Sequence, residues 1–135
     1  MTKEEKKKVT DFCKSYIPAR ARIRQAEKDM AMFEKRAATA GISSFEKELM
    51  ELNISRKQHK IEEDRKIVLL FEVAMAELHG LDQCIIRQLY AEGKVQKEIV
   101  NIDGELITER RVRVIRDRAL EKIGNVILTY MLQHP

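Results

Sequence analysis

ITERRVRVIRDRALEKI, residues 107–123, carries six basic side chains on a segment that still returns an apolar residue every three or four positions. Val112, Ile115, Ala119 and Ile123 fall on one face of a 3.6-residue helix, and the spacing continues through Ile127 toward Leu132. Thr108 stands at the N-cap position, where a hydroxyl can accept from an unpaired N–H of the first turn. The opposite face offers Glu109, Arg110, Arg113 and, one turn on, Arg116 or Asp117. Such a helix is either an ordinary amphipathic one with a solvated face or one that lies against a polyphosphate. Within residues 108–119 five arginines face two acids, the footprint a polyphosphate partner favours.

The segment before it, EIVNIDGEL at residues 98–106, has two readings. Asp-Gly flanked by alternating apolar residues is a strong hairpin signal. Equally, KVQKEIV can be a short helix and NIDGEL the turn that presents the basic helix. Further upstream, LDQCIIRQLYAEG at residues 81–93 reads as a short helix with Ile85, Ile86, Leu89 and Tyr90 inward and Gly93 ending it. Short helix, tight connection, short helix, turn and basic helix is the order of a helix-turn-helix module, whose last helix enters the major groove. Residues at the start of that helix reach base edges. Arg110 and Arg113 suit the paired acceptors of guanine, and Glu109 the amino group of cytosine. Arg111 and Arg118 are expected on phosphates, and Lys97, Thr108 and Arg116 complete the expected interface.

The N-terminal part has a different texture. Residues 3–16 have helical composition, and Pro18 restarts the chain because the residue before proline is pushed away from helical geometry. Ile23, Ala26, Met30, Phe33 and Ala37 form one stripe. Gly41 interrupts it, Ser43 or Ser44 caps a new helix, and Phe45, Leu49 and Leu52 begin a second stripe. NISRKQHKIEEDRK is either a solvated helix or a weakly ordered connection. Apolar density returns in IVLLFEVAMAEL, which His79-Gly80 closes. Two long helices joined near Gly41 bury only a narrow seam, so they either self-associate, most simply as a dimer, or fold back onto the C-terminal part.

Composition agrees with an all-α chain: 36% of residues are charged, 5% aromatic, none is tryptophan and two are proline. The basic excess lies in residues 1–36, with 11 cations against 6 acids; residues 37–80 have 6 against 8 and residues 81–135 have 9 against 8. Cys13 and Cys84 stand far apart without metal-site spacing, and His59, His79 and His134 have no ligand neighbour at helical spacing. No glycine-rich phosphate loop is present, so no enzymatic activity, metal or cofactor is expected. The charged N-terminus and the absence of a long apolar run lead to the expectation of a cytoplasmic protein without membrane contact.

LYAEGKVQKEIV followed by ITERRVRVIRDRALEKI resembles the fourth conserved region of bacterial sigma factors, which has a similar tyrosine-x-glutamate-glycine, glutamate-isoleucine and VR-x-I-x-x-RAL-x-K pattern. The motif covers residues 81–123. The layout, long charged helices and then this module, is similar to phage late-operon transcriptional regulators of the RinA and ArpU kind. The resemblance implies a helix-turn-helix DNA reader at residues 81–135 behind a helical hairpin or coiled-coil assembly region at residues 1–80. It implies promoter DNA as a partner; the long helices are expected to supply assembly with a second copy of the chain or contact with RNA polymerase. Two departures stand out: NIDGEL is about two residues longer than the usual turn, and Val114 replaces a commonly polar, base-reaching residue. A helical assembly factor for polymerase and a small phage DNA-packaging subunit are the alternatives.

Overall fold

The computed structural model describes residues 1–102 and 104–134, and apart from one small hairpin its regular structure is helical. The all-α class expected from composition is what the chain adopts. Packing groups it into two units, residues 1–17 with 67–135 and residues 18–66. The expected boundary at 80/81 falls inside the first.

Helix α1 (Lys3–Lys14) is started by Thr2, whose hydroxyl accepts from Glu5 N–H at 3.1 Å while the Glu5 carboxylate accepts from Thr2 N–H at 2.9 Å. It stops at Ser15, and α2 (Tyr16–Ala37) begins one residue later. Pro18 is the cause: it lacks the N–H that a continuous helix would donate to the Lys14 carbonyl, and its ring crowds that group. The break therefore lies one turn upstream of the proline.

In the second unit, α2 faces α3 (Ser44–Lys60) and the first turn of α4 (Glu62–Ala76). Arg22 meets Asp64 at 2.8 Å, and Asp29, seven residues on, meets Lys57 at 3.3 Å, seven residues back. The pairing is thus antiparallel. Gly41 turns the chain at φ +83°, and Ser43, not Ser44, caps α3 by accepting from Glu46 N–H at 3.1 Å. The polar stretch at residues 53–66 is helical, interrupted only where Ile61 turns into a small core with Ala26 and Met30. The Phe45, Leu49 and Leu52 stripe is not covered; those residues are 72%, 41% and 48% exposed.

The first unit holds the main core. Val9 and Cys13 of α1, Phe71, Ala74, Met75 and Leu78 of α4, and Ala119, Leu120, Ile123 and Ile127 of α6 (Glu109–Gln133) close on one another, with Tyr16 stacked on Phe71 at 4.2 Å. Gly124 lets α1 approach α6, since a Cβ there would lie 3.3 Å from Val9 Cγ2 and 2.6 Å from Met1 Sδ. Helix α5 (Gly80–Ile86) runs into a π-helical turn (Arg87–Ala91), which ends on Gly93 at φ +74° with Lys94 N–H donating back to the Gln88 carbonyl.

From there the chain departs from two stacked short helices. KVQKEIV forms only a single 3-10 turn (Gln96–Glu98), and the following residues form an antiparallel hairpin, β1 (Asn101–Ile102) with β2 (Glu105–Leu106). The physical reason lies in Val95, Ile99, Val100 and Ile102, β-branched residues that favour extended backbone. Ile99 and Ile102 are both buried, in a second cluster with Ile85, Val112 and Ile115. Gly104, at φ +83°, donates its N–H to the Asn101 side chain at 3.0 Å; Asp103 of the expected Asp-Gly turn lies outside the described residues.

Candidate nucleic-acid interface

Thr108 opens α6 as expected, its hydroxyl accepting from Arg111 N–H at 3.2 Å. This cap aligns the first turn, and Val112 and Ile115, 0% and 1% exposed, seal the inner face against the hairpin cluster. With that face fixed, helical spacing sends Arg110 directly outward and Arg111 and Arg113 to its two flanks. All three are exposed, as are Glu109 and Lys97, and none of the three arginines has an acidic partner among the described residues. Val114 is also outward, at 57% exposure, and Leu106 on the hairpin is 88% exposed.

The next two arginines are placed differently. Arg116 is half-buried and donates through Nε and Nη2 to the carboxylate of the adjacent Asp117, at 3.0 and 2.8 Å. Lys6 of α1 reaches the same carboxylate at 3.1 Å. Burial opposes ionisation of Asp117, but the hydrogen bonds from Arg116 and Lys6 outweigh it and hold the carboxyl below its ordinary range. Arg118 donates to Asp82 of α5, which also accepts from Lys122 at 2.8 Å. Asp82 is only 4% exposed; burial again works against its charge, and the two cations prevail and keep its pKa low.

Arg110, Arg111 and Arg113 are therefore free for a partner, whereas Arg116 and Arg118 are engaged within the fold. Sequence reasoning missed Asp82. Its partners lie 36 and 40 residues away, and an isolated aspartate in the first turn of a short helix gives no local sign of them. The spacing of Arg118 and Lys122, one turn apart on α6, is the only available hint that a single acid could bridge them.

No group of three or more His, Cys, Asp or Glu suited to a metal occurs among the described residues, and none of their helices is long and apolar enough to cross a membrane. No protein-family model, curated protein or solved structure matches the chain.

Proposed function

We propose that the chain is a sequence-specific DNA-binding transcriptional regulator, of the phage or prophage type its motif resembles, that sets the first turns of α6 into the major groove of promoter DNA. One observation carries this: Arg110, Arg111 and Arg113 are exposed and unpaired on a capped helix whose other face is fixed in the core. Arg110 and Arg113 read base edges, with Glu109 as the acceptor for cytosine, while Arg111 and Lys97 sit on phosphates. Arg118, tied to Asp82, positions α6 rather than touching DNA. The sigma region 4 likeness lies in the order α5, connection, α6. The hairpin of β1 and β2, separated from α6 by two residues, gives the connection a wing-like form.

The test is fluorescence anisotropy on duplexes recovered from a random library. Log affinity is expected to fall linearly with log salt. Arg110→Ala and Arg113→Ala each erode the preference for the recovered site by about tenfold, as for loss of one bidentate base contact of about 1–3 kcal/mol. Arg111→Ala weakens all duplexes alike. Absence of any duplex binding at low salt, or equal affinity for every duplex in the parent and all three variants, overturns the assignment.

The exposed Phe45, Leu49 and Leu52 stripe supports a second, assembly role for residues 18–66, with a second copy of the chain or RNA polymerase as the partner. Co-purification with polymerase without any duplex binding would make assembly the whole function, and a ring of many subunits in light scattering would point to a DNA-packaging subunit.

A further inference from the structure

In the first unit, a cleft of about 440 Å³ opens between α1, the π-helical turn, the 93–96 connection and α6. Its size falls within the range of small-ligand sites, roughly 300–1,000 Å³. Leu89 and Val95 give it apolar walls, Lys14, Lys94 and Arg116 give it three cations, and no acid among the described residues lines it. Neither Lys14 nor Lys94 has an ion-pair partner among the described residues. Arg116 is held in orientation by Asp117, through two of its N–H groups, and retains others for a further acceptor.

Tyr90 makes the cleft more than a charged recess. It is 9% exposed, lines the cleft, and makes no hydrogen bond with another described residue. Burial pushes its phenol up to about 12, so it stays protonated and able to donate at neutral pH. The ring is buried while the hydroxyl is not among the buried unpaired polar atoms, so the donor is reachable from the cleft that Tyr90 lines. Leu89 and Tyr90 also belong to the π-helical turn, a distortion frequent at functional sites.

We infer that this cleft binds a small organic anion, with an apolar ring-sized body against Leu89 and Val95 and one carboxylate or phosphate held by Lys14, Lys94, Arg116 and the Tyr90 hydroxyl. The anionic group supplies acceptors for Lys14, Lys94, the Tyr90 hydroxyl and the N–H groups that Arg116 does not spend on Asp117, and the apolar body covers walls that inorganic phosphate would leave wet. The site does not depend on whether α6 binds DNA.

The experiment is an amide NMR titration of the full chain with four probes: 2-naphthoate, 1-naphthyl phosphate, the neutral 2-naphthalenemethanol and inorganic phosphate. One or both naphthyl anions are expected to give saturable shifts at the amides of Leu89, Tyr90 and residues 94–96. The neutral alcohol and inorganic phosphate should bind at least about tenfold more weakly, as for loss of one charge-assisted contact or of the buried ring. Response to naphthoate alone assigns a carboxylate ligand, and to naphthyl phosphate alone a phosphate ester. Lys14→Gln with Lys94→Gln should weaken binding by about tenfold or more, and Tyr90→Phe by about threefold, with the unliganded amide spectrum otherwise retained. Shifts confined to other surfaces, equal binding of inorganic phosphate or the neutral alcohol, or unchanged affinity in the double variant would each overturn the inference.

Discussion

Asp82→Asn removes a charge that joins α5 to α6 at the root of the candidate reading helix. In the parent, this 4% exposed carboxylate accepts from Arg118 and from Lys122, whose side chains are 54% and 55% exposed. Removing one member of a fully buried ion pair costs about 3–5 kcal/mol, mostly because the survivor is stranded without water. Here the survivors are half in solvent and recover much of their hydration, and Asn retains one acceptor. The expected loss is therefore smaller, about 2 kcal/mol, close to one hydrogen bond to a charged group. Urea unfolding followed by tyrosine fluorescence isolates the effect, because the chain has no tryptophan and its three tyrosines, Tyr16, Tyr90 and Tyr130, all lie in the first unit. Combining Asp82→Asn with Arg118→Met should give a coupling energy of about 1 kcal/mol, as residues in one ion-pair network do. A parent-like midpoint for Asp82→Asn, or strictly additive losses in the double variant, would refute the assignment of this carboxylate as the clamp.

The same groups set an acid limit. Asp82 and Asp117 are both held below their ordinary values, so each favours folding above about pH 4 and loses that contribution as pH falls through its depressed folded value. Asp82→Asn should flatten the fall of the urea midpoint as pH drops below the ordinary carboxylate range, while leaving its slope near neutrality unchanged. Gly124→Leu overfills the α1–α6 contact and should cost about 1–3 kcal/mol by the same urea measurement. Gly124→Ala should stay within about 1 kcal/mol of the parent, since the Met1 end can swing away and the gain in helix propensity offsets a small shift of Val9. Leu49→Asp with Leu52→Asp should lower the mass seen by sedimentation if these exposed side chains join copies of the chain; an unchanged mass distribution rejects that role.

Much of α6 was legible from its sequence because everything that shapes it is local. A cap residue, a 3.6-residue apolar rhythm and the absence of helix breakers suffice, and Thr108, Val112, Ile115, Ala119, Ile123 and Ile127 take the places their spacing gives them. The Ile23 to Ala37 stripe, with Ala26 and Met30 buried, was readable on the same terms. Residues 94–106 were ambiguous, since helix-compatible glutamate and lysine alternate there with β-branched residues, and long-range burial of Ile99 and Ile102 decides between them. The docking of α1 on α6 was hidden for another reason. Val9 and Cys13 are a two-residue signal within a lysine-rich helix, and the partner lies more than a hundred residues along the chain. At the candidate site, exposure of Arg110 and Arg113 followed from periodicity, whereas the diversion of Arg118 to Asp82 depended on how α5 and α6 cross.

The first unit draws on both ends of the chain, while residues 18–66 are one uninterrupted stretch. During synthesis the α2–α3 hairpin can form as soon as its residues leave the ribosome, whereas α1, made before it, keeps part of the Val9 and Cys13 face uncovered until Ile123 and Ile127 emerge. The five lysines of α1 carry charge along that waiting helix, and the arginines at the start of α6 gain a fixed direction only after α1, α4 and α5 have been made.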